Sequence, residues 1–244
     1  MSAILVTGAT NGIGLSLTKS LLDKQFNVVG IGRDQDSLNN LSTEYGSLFT
    51  PLRIDLSDKD NYNDIADLLP TLSGIVFAAG VVKQSPISYF DEDLHSCMME
   101  VNINSPIFIL SRILRRKKLS KGSSIVFISS INGGYKGFNG SVSYASSKAA
   151  MLGAVKVLAS ELARKKIRVN AVSPAGIDIG MMRDEFIMRT LSQEALKAEL
   201  NTYLLTKAYL PPSSVVEPIE FLLSNASSSI TGQNIVICGG ASLY

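Results

Sequence analysis

The stretch SVSYASSKAA, Ser141 to Ala150, places Tyr144 and Lys148 four residues apart. In a helix that spacing puts both side chains on one face, about 6 Å apart. A phenol beside an ammonium group is a pair able to hold and release a proton. A free tyrosine titrates near 10, and a neighbouring cation favours the phenolate and lowers that value. The pair alone does not separate such an acid from ordinary helix surface, where Lys and Tyr often meet at this interval. The elements around it have to decide.

A second group of residues suits phosphate chemistry. TGATNGIG, Thr7 to Gly14, follows the apolar run AILVT and precedes a helical pattern. Glycines at 8, 12 and 14 permit positive φ and let backbone N–H groups approach a phosphate. The following helix points its positive end at the same place. The spacing is G-x-x-x-G-x-G rather than the G-x-G-x-x-G of the usual dinucleotide fingerprint. The next apolar run ends in GIGRD, Gly30 to Asp34. An acid at such a strand tip bonds the ribose hydroxyls of NAD, whereas arginine accepts a 2′-phosphate. Gly32 takes the position of the acid, Arg33 comes next, and Asp34 has an ordinary use as N-cap of the helix containing Ser37 and Leu41. NADP(H) is therefore favoured over NAD(H). A second cation in the glycine turn would strengthen that reading, but Asn11 is neutral.

These turns need a frame. Apolar runs fall at 3–7, 27–31, 47–54, 73–79, 123–129, 167–172 and 234–238. Most are Val/Ile-rich and continuous, as expected of parallel strands covered on both faces. Helical patterns lie between them, over roughly 12–24, 36–45, 58–68, 91–119, 142–166 and 213–224. Such alternation predicts a doubly wound α/β sheet, with ligands at the carboxyl ends of its strands where strand order reverses. No linker or repeat divides the 244 residues, so a single domain is expected. The one irregular region, about 176–212, reads as a substrate lid with one or two helices before Pro211-Pro212. Its Met181, Met182, Phe186 and Met188 suit either an apolar substrate or packing.

Composition excludes other classes. A hydrophobic content of 45%, 18% charged residues and a net charge of +2 favour neither nucleic acid nor an anionic membrane as partner. One histidine, His95, and two distant cysteines, Cys97 and Cys238, argue against a zinc site and read as a surface ring and two buried thiols. The basic run LRRKKLSKGSS, 114–124, reads as the solvated end of a long helix rather than an anion patch. With no apolar stretch near bilayer length and no secretion-type start, a soluble cytoplasmic protein is expected.

TGATNGIG, YASSK, IRVNAVSPAG and ITGQNIVICGG, in this order and at these intervals, together resemble the short-chain dehydrogenase/reductase family in its compact form, and the resemblance covers essentially the whole chain. It implies a Rossmann-type doubly wound parallel sheet of seven strands with helices on both faces. It also implies a nicotinamide cofactor, a small-molecule carbonyl or alcohol substrate, and dimers or tetramers built through long helices. By the same resemblance Ser130, Tyr144, Lys148 and Asn102 are the catalytic residues. Ser129 is a neighbour easily confused with Ser130, because the serine-to-tyrosine interval is one residue longer than usual. The implied cofactor contacts are Gly8, Thr10, Asn11, Gly12, Ile13 and Gly14 in the turn, Arg33, Asp55 and Leu56 at the adenosine end, and Ala78, Ala79 and Gly80 beside the ribose. Tyr144, Lys148, Pro174, Ala175, Gly176 and Ile177 complete the set at the nicotinamide end. Phe77 and Ala78 depart from the family's Asn-Asn, Pro174-Ala175 replaces Pro-Gly, and Ile179 replaces a threonine that often touches the nicotinamide amide.

The implied activity is ketone reduction or alcohol oxidation, with Tyr144 supplying the proton, Ser130 holding the substrate oxygen and Asn102 holding the water that reconnects Lys148 to solvent. A cofactor-sensing protein without turnover and an NAD-dependent alcohol or sugar dehydrogenase are the rival readings. The departures at Phe77, Ala78 and Ile179 favour the first rival slightly, and the intact Ser130, Tyr144, Lys148 and Asn102 weigh against it.

Overall fold

The apolar runs pair side by side, all parallel, in the order β3-β2-β1-β4-β5-β6-β7. In the computed structural model, which describes residues 2–62, 64–178 and 193–243, the strands are β1 (Ala3–Thr7), β2 (Val28–Gly32), β3 (Phe49–Arg53), β4 (Leu72–Phe77), β5 (Leu119–Ile128), β6 (Arg168–Pro174) and β7 (Asn234–Ile237). The expected seven-stranded Rossmann-type sheet is present. Strand order reverses between β1 and β4, where Leu5 lies between Val29 and Ile75 in register.

Continuous apolar sequence in β1 and β2 reflects cover on both faces, and every residue of both strands is buried. β3 differs because it is the sheet edge. Thr50, Pro51 and Arg53 are exposed there, and a proline is tolerated where one side of the strand has no partner.

Two apolar layers sandwich the sheet. On one face α1 (Gly12–Asp23), α2 (Gln35–Tyr45) and α8 (Ser213–Leu223) bury Leu17, Leu21, Leu38, Leu41, Val215 and Ile219. On the other, α3 (Ile65–Leu68), α5 (Ser105–Arg115) and α6 (Val142–Leu162) bury Ile65, Ile109, Ile113, Met151 and Val155. α4 (Glu92–Met99) leads towards α5, and α7 (Gln193–Leu200) precedes the last crossover.

The expected helices shift in two places. The 58–68 pattern is a 3₁₀ turn over Lys59–Tyr62 followed by the single turn α3. The 91–119 pattern is α4, a π-helical turn at Glu100–Asn104 and α5, with β5 already begun at Leu119. Basic residues of the 114–124 run close the end of α5 as expected: Arg116 pairs with Asp67 at 2.9 Å and Lys118 donates to the Leu69 carbonyl at 2.7 Å. They lie at the amino end of β5, away from the strand tips that carry the cleft described below. His95, Cys97 and Cys238 are each half-buried, so the two thiols are less enclosed than expected.

Phe77 has a structural reason. It sits opposite Phe127 in the β4–β5 register, 1% exposed, with the two ring centroids 4.9 Å apart. An aromatic pair of this kind contributes beyond its buried area. Phe77→Asn, which restores the family's residue, is therefore expected to destabilise the protein by about 3 kcal/mol or more, because it removes a buried ring and leaves an amide in apolar surroundings. Urea unfolding measures this; equal stability would contradict the packing role.

Candidate active site

The carboxyl ends of β1, β2, β4, β5 and β6 open on one cleft of about 900 Å³. Its floor begins at the glycine turn. Gly8 has φ +72°, and a Cβ there would lie 2.9 Å from the Ala79 backbone. A Cβ on Gly14 would lie 2.2 Å from the Gly8 carbonyl oxygen. Only glycine permits this approach of turn, helix and β4 loop. The N-cap residue Asn11 makes no side-chain cap bond to α1, whereas Asp34 caps α2 and Asp91 caps α4. An N-terminus of this kind offers backbone donors to an anion.

Thr7 joins the two halves of the crevice. Its Oγ1 accepts from the backbone N–H of both Ala78 and Ala79 at 3.1 Å. Sequence reasoning missed this contact, because it depends on β1 and β4 being neighbours. Of the expected cofactor residues, Gly8, Thr10, Asn11, Gly12, Ile13, Arg33, Asp55, Leu56, Ala78, Ala79, Gly80, Tyr144, Lys148, Pro174, Ala175 and Ile177 all line the cleft. Gly14 lies behind the turn, and Gly176 lies behind the segment after β6.

Gly176 explains the displaced Pro-Gly. A Cβ at 176 would meet the Tyr209 ring at 2.5 Å and the Tyr203 hydroxyl at 2.7 Å. The Gly176 N–H donates to that hydroxyl at 2.6 Å, and the Leu210 N–H donates to the Gly176 carbonyl at 3.0 Å. The close approach of these two tyrosines, not the cleft itself, requires a glycine there. Ile179 and the lid residues Met181, Met182, Phe186 and Met188 lie outside the described residues.

The chemistry-bearing side chains gather where β5 meets α6. Lys148 is 4% exposed; its Nζ donates to the Ile128 carbonyl at 2.7 Å and lies 5.7 Å from the Tyr144 ring centroid. Ser129 Oγ donates back to the Lys148 carbonyl at 2.9 Å. Ser129 is therefore spent on α6, while half-buried Ser130, whose Oγ accepts from the Asn132 N–H at 3.2 Å, lines the cleft with Tyr144. Asn102, fully buried on the π-helical turn, accepts from the Val81 N–H at 2.7 Å and donates to Ser147 Oγ at 2.9 Å. Asn102 does not line the cleft; it fixes the 80–82 loop to α6. Its Oδ1 and the Lys148 Nζ both face Gly80, 3.4 and 3.5 Å from where a Cβ would stand.

Burial governs the charges. It raises the Tyr144 phenol above its ordinary value, opposed by the Ser130 hydrogen bond. The lowering by Lys148 expected from spacing is not what dominates: the resting group is the neutral phenol. Burial also pulls the Lys148 ammonium down to about 8. Asp55 is held below the usual carboxylate range by the Ser57 N–H, and its Oδ2 lies 3.9 Å from Arg33. Asp34 is spent on α2, accepting from the Asp36 N–H at 3.0 Å and Ser37 Oγ at 2.7 Å.

The sheet with its crevice at the strand-order reversal, a glycine turn at the N-terminus of α1 and a Ser-Tyr-Lys cluster beside it define a dinucleotide-type α/β protein. A family model described as short chain dehydrogenase matches residues 2–189. The 3-oxoacyl-[acyl-carrier-protein] reductase FabG of Chlamydia muridarum is 30% identical, the alignment covering 98% of this chain and 96% of the relative. Its Thermotoga maritima counterpart is 29% identical, over 97% and 96%. Among solved structures, a short chain dehydrogenase family protein from Francisella tularensis superposes with a TM-score of 0.88 at 28% identity, each chain fully covered. A 4-hydroxyisoleucine dehydrogenase complexed with NADH gives 0.88 at 25% identity, again over both whole chains. The chain belongs to the short-chain dehydrogenase family and is an oxidoreductase of that family.

The buried lysine makes a linkage prediction. An unfolded lysine titrates near 10.5 and the folded Lys148 near 8, so between those values the unfolded chain binds more protons. Stability contributed by this group therefore rises with pH through that window. Wild type is expected to gain on the order of 1–3 kcal/mol relative to Lys148→Met between pH 8 and 10 in urea unfolding. A pH-independent difference would contradict a buried ammonium.

Proposed function

We propose that the protein is an NADP(H)-dependent reductase that moves hydride between nicotinamide and a carbonyl or alcohol carbon, with a 3-oxoacyl-type ketone as the favoured substrate class. The observation that carries the reading is the placement of Ser130, Tyr144 and Lys148 in one cleft with the glycine turn. The names of the relatives in Chlamydia muridarum and Thermotoga maritima support the substrate class.

The residues present fit a dinucleotide. Gly8, Thr10, Asn11, Gly12 and Ile13 would hold the diphosphate through backbone N–H groups and the start of α1, with Gly14 behind them letting the helix pack against the turn. Asp55 and Leu56 would flank the adenine, Arg33 the 2′-phosphate, and Ala78, Ala79 and Gly80 the ribose. Pro174, Ala175 and Ile177 would meet the nicotinamide with backbone groups, while Gly176, turned towards Tyr203 and Tyr209, would hold their segment in place. When bound, the nicotinamide supplies or accepts the hydride.

The protein's own part is proton placement. Ser130 holds the substrate oxygen beside Tyr144 and stabilises negative charge as it forms. Tyr144, protonated at rest, releases its proton to that oxygen. The ammonium of Lys148 stabilises the phenolate that remains. Asn102 keeps the loop at 80–82 against α6, beside the lysine, with its amide engaged by Val81 and Ser147. In the oxidative direction the same phenolate accepts the proton.

An NAD-dependent reading has one specific support, the bound NADH of the 4-hydroxyisoleucine dehydrogenase. Against it, Gly32 offers no carboxylate, and the space where a side chain would start is filled by Thr10, 2.5 Å from a Cβ built there. Segment 176–212 belongs to the proposal as a lid over the substrate. So do a cytoplasmic location and a homodimer or homotetramer through the long helices. Phe108 on α5 and Val157 on α6 are exposed there, 39% and 57%. Among the described residues no helix is long and apolar enough to cross a membrane.

Tyr144→Phe is expected to lower turnover of a 3-oxoacyl thioester by at least about a hundredfold, the scale of a lost general acid, while NADPH affinity changes little. Calorimetric titration and initial rates on the same variant measure both; near-normal turnover rules out the acid role.

A further inference from the structure

A small side pocket opens off the adenosine end of the cleft, with a volume of about 290 Å³ and walls of Arg33, Arg53, Asp55 and Asn61. Two of these residues, Arg33 and Asp55, also line the main cleft. Arg53 ends β3 and stands opposite Gly32 in the β2–β3 register. Its Nε donates to the Arg33 carbonyl at 3.4 Å, which anchors its guanidinium beside the residue already assigned to the cofactor.

We propose that Arg53 and Arg33 together form a two-guanidinium seat for a ribose 2′-phosphate, with Arg53 a second determinant of preference for the phosphorylated dinucleotide. The inference rests on the NADP(H) reading above and adds to it a residue that neither the glycine turn nor the GIGRD tip contains. Charge supports it. Two cations and one carboxylate share the pocket, which leaves a net positive charge. Among the described residues no carboxylate lies within ion-pair distance of Arg53, while Asp55 faces Arg33 at 3.9 Å. That Arg33–Asp55 pair is long and exposed, so it holds Arg33 weakly and a phosphate can replace it. The other nearby acid, Asp34, is committed to α2 through both carboxylate oxygens.

The chemistry favours a phosphate monoester. Guanidinium groups present planar donor pairs that match phosphate oxygens, and two of them share a dianion that one neutralises only in part. Gly32, which stands opposite Arg53 and precedes Arg33, brings no carboxylate of its own to compete for either guanidinium. Arg53 is exposed at a strand end on the sheet edge, so its removal is not expected to disturb the core.

The test is calorimetric binding of NADPH, NADH, adenosine 2′,5′-bisphosphate and ADP to wild type, Arg33→Ala, Arg53→Ala and Arg53→Gln. Each variant's thermal midpoint is checked first. Both Arg53 variants are expected to weaken NADPH and the 2′,5′-bisphosphate by about tenfold, the scale of a charge-assisted hydrogen bond, with NADH and ADP nearly unchanged. Equal weakening of phosphorylated and unphosphorylated ligands, or no weakening of either, overturns the role of Arg53. The underlying reading fails separately: wild type would then bind NADH as tightly as NADPH, and Arg33→Ala would leave the ratio unchanged.

Discussion

One reciprocal pair of hydrogen bonds holds the candidate site together. Lys148 Nζ reaches down to the Ile128 carbonyl at the tip of β5, and Ser129 Oγ, one residue further on, reaches back to the Lys148 carbonyl. Helix α6 is thereby stapled to the central sheet at one position. Tyr144 sits one turn before the staple and Ser130 one residue beyond it, so both side chains reach the same cleft. The same bond keeps an ammonium in a buried place, where it is drawn down to about 8 and where its charge acts at close range. A carbonyl dipole offsets part of the cost of burying it.

The rest of the cleft follows from topology. Strand order reverses between β1 and β4, which parts the loops above them and leaves a crevice. Thr7 then sets its width by holding the Ala78 and Ala79 N–H groups, and Gly8 lets the turn descend against them. Asn102 closes the far side by fixing Val81 to α6 through Ser147. The π-helical turn that carries Asn102 has its own anchor, since Glu100 on that turn accepts from the buried Tyr62 hydroxyl and from Asn104. Except for the local Asn104–Glu100 bond, these hydrogen bonds join elements distant in the chain.

That distance explains what was and was not legible in the sequence. The strands could be read because continuous Val/Ile runs mark cover on both faces, and the α2 N-cap could be read because Asp34 precedes Ser37 at capping distance. The Tyr144–Lys148 pair was legible as a local helical interval. The meaning of Phe77, Gly176 and Arg53 was not. Phe77 answers to Phe127 across β5, Gly176 to two tyrosines after α7, and Arg53 to Gly32 through the β2–β3 register. Each is a tertiary neighbour with no local signature. The direction of the Tyr144 shift differs from expectation for a related reason: spacing reports the nearby cation but not the burial that raises the phenol.

The most direct test of the central claim, that a buried ammonium at Lys148 sustains the Tyr144 acid, is the pH dependence of kcat/KM for carbonyl reduction. The account predicts a fall on the alkaline side with a midpoint near 8, where Lys148 loses its proton. A profile that stays flat to pH 10 would contradict it.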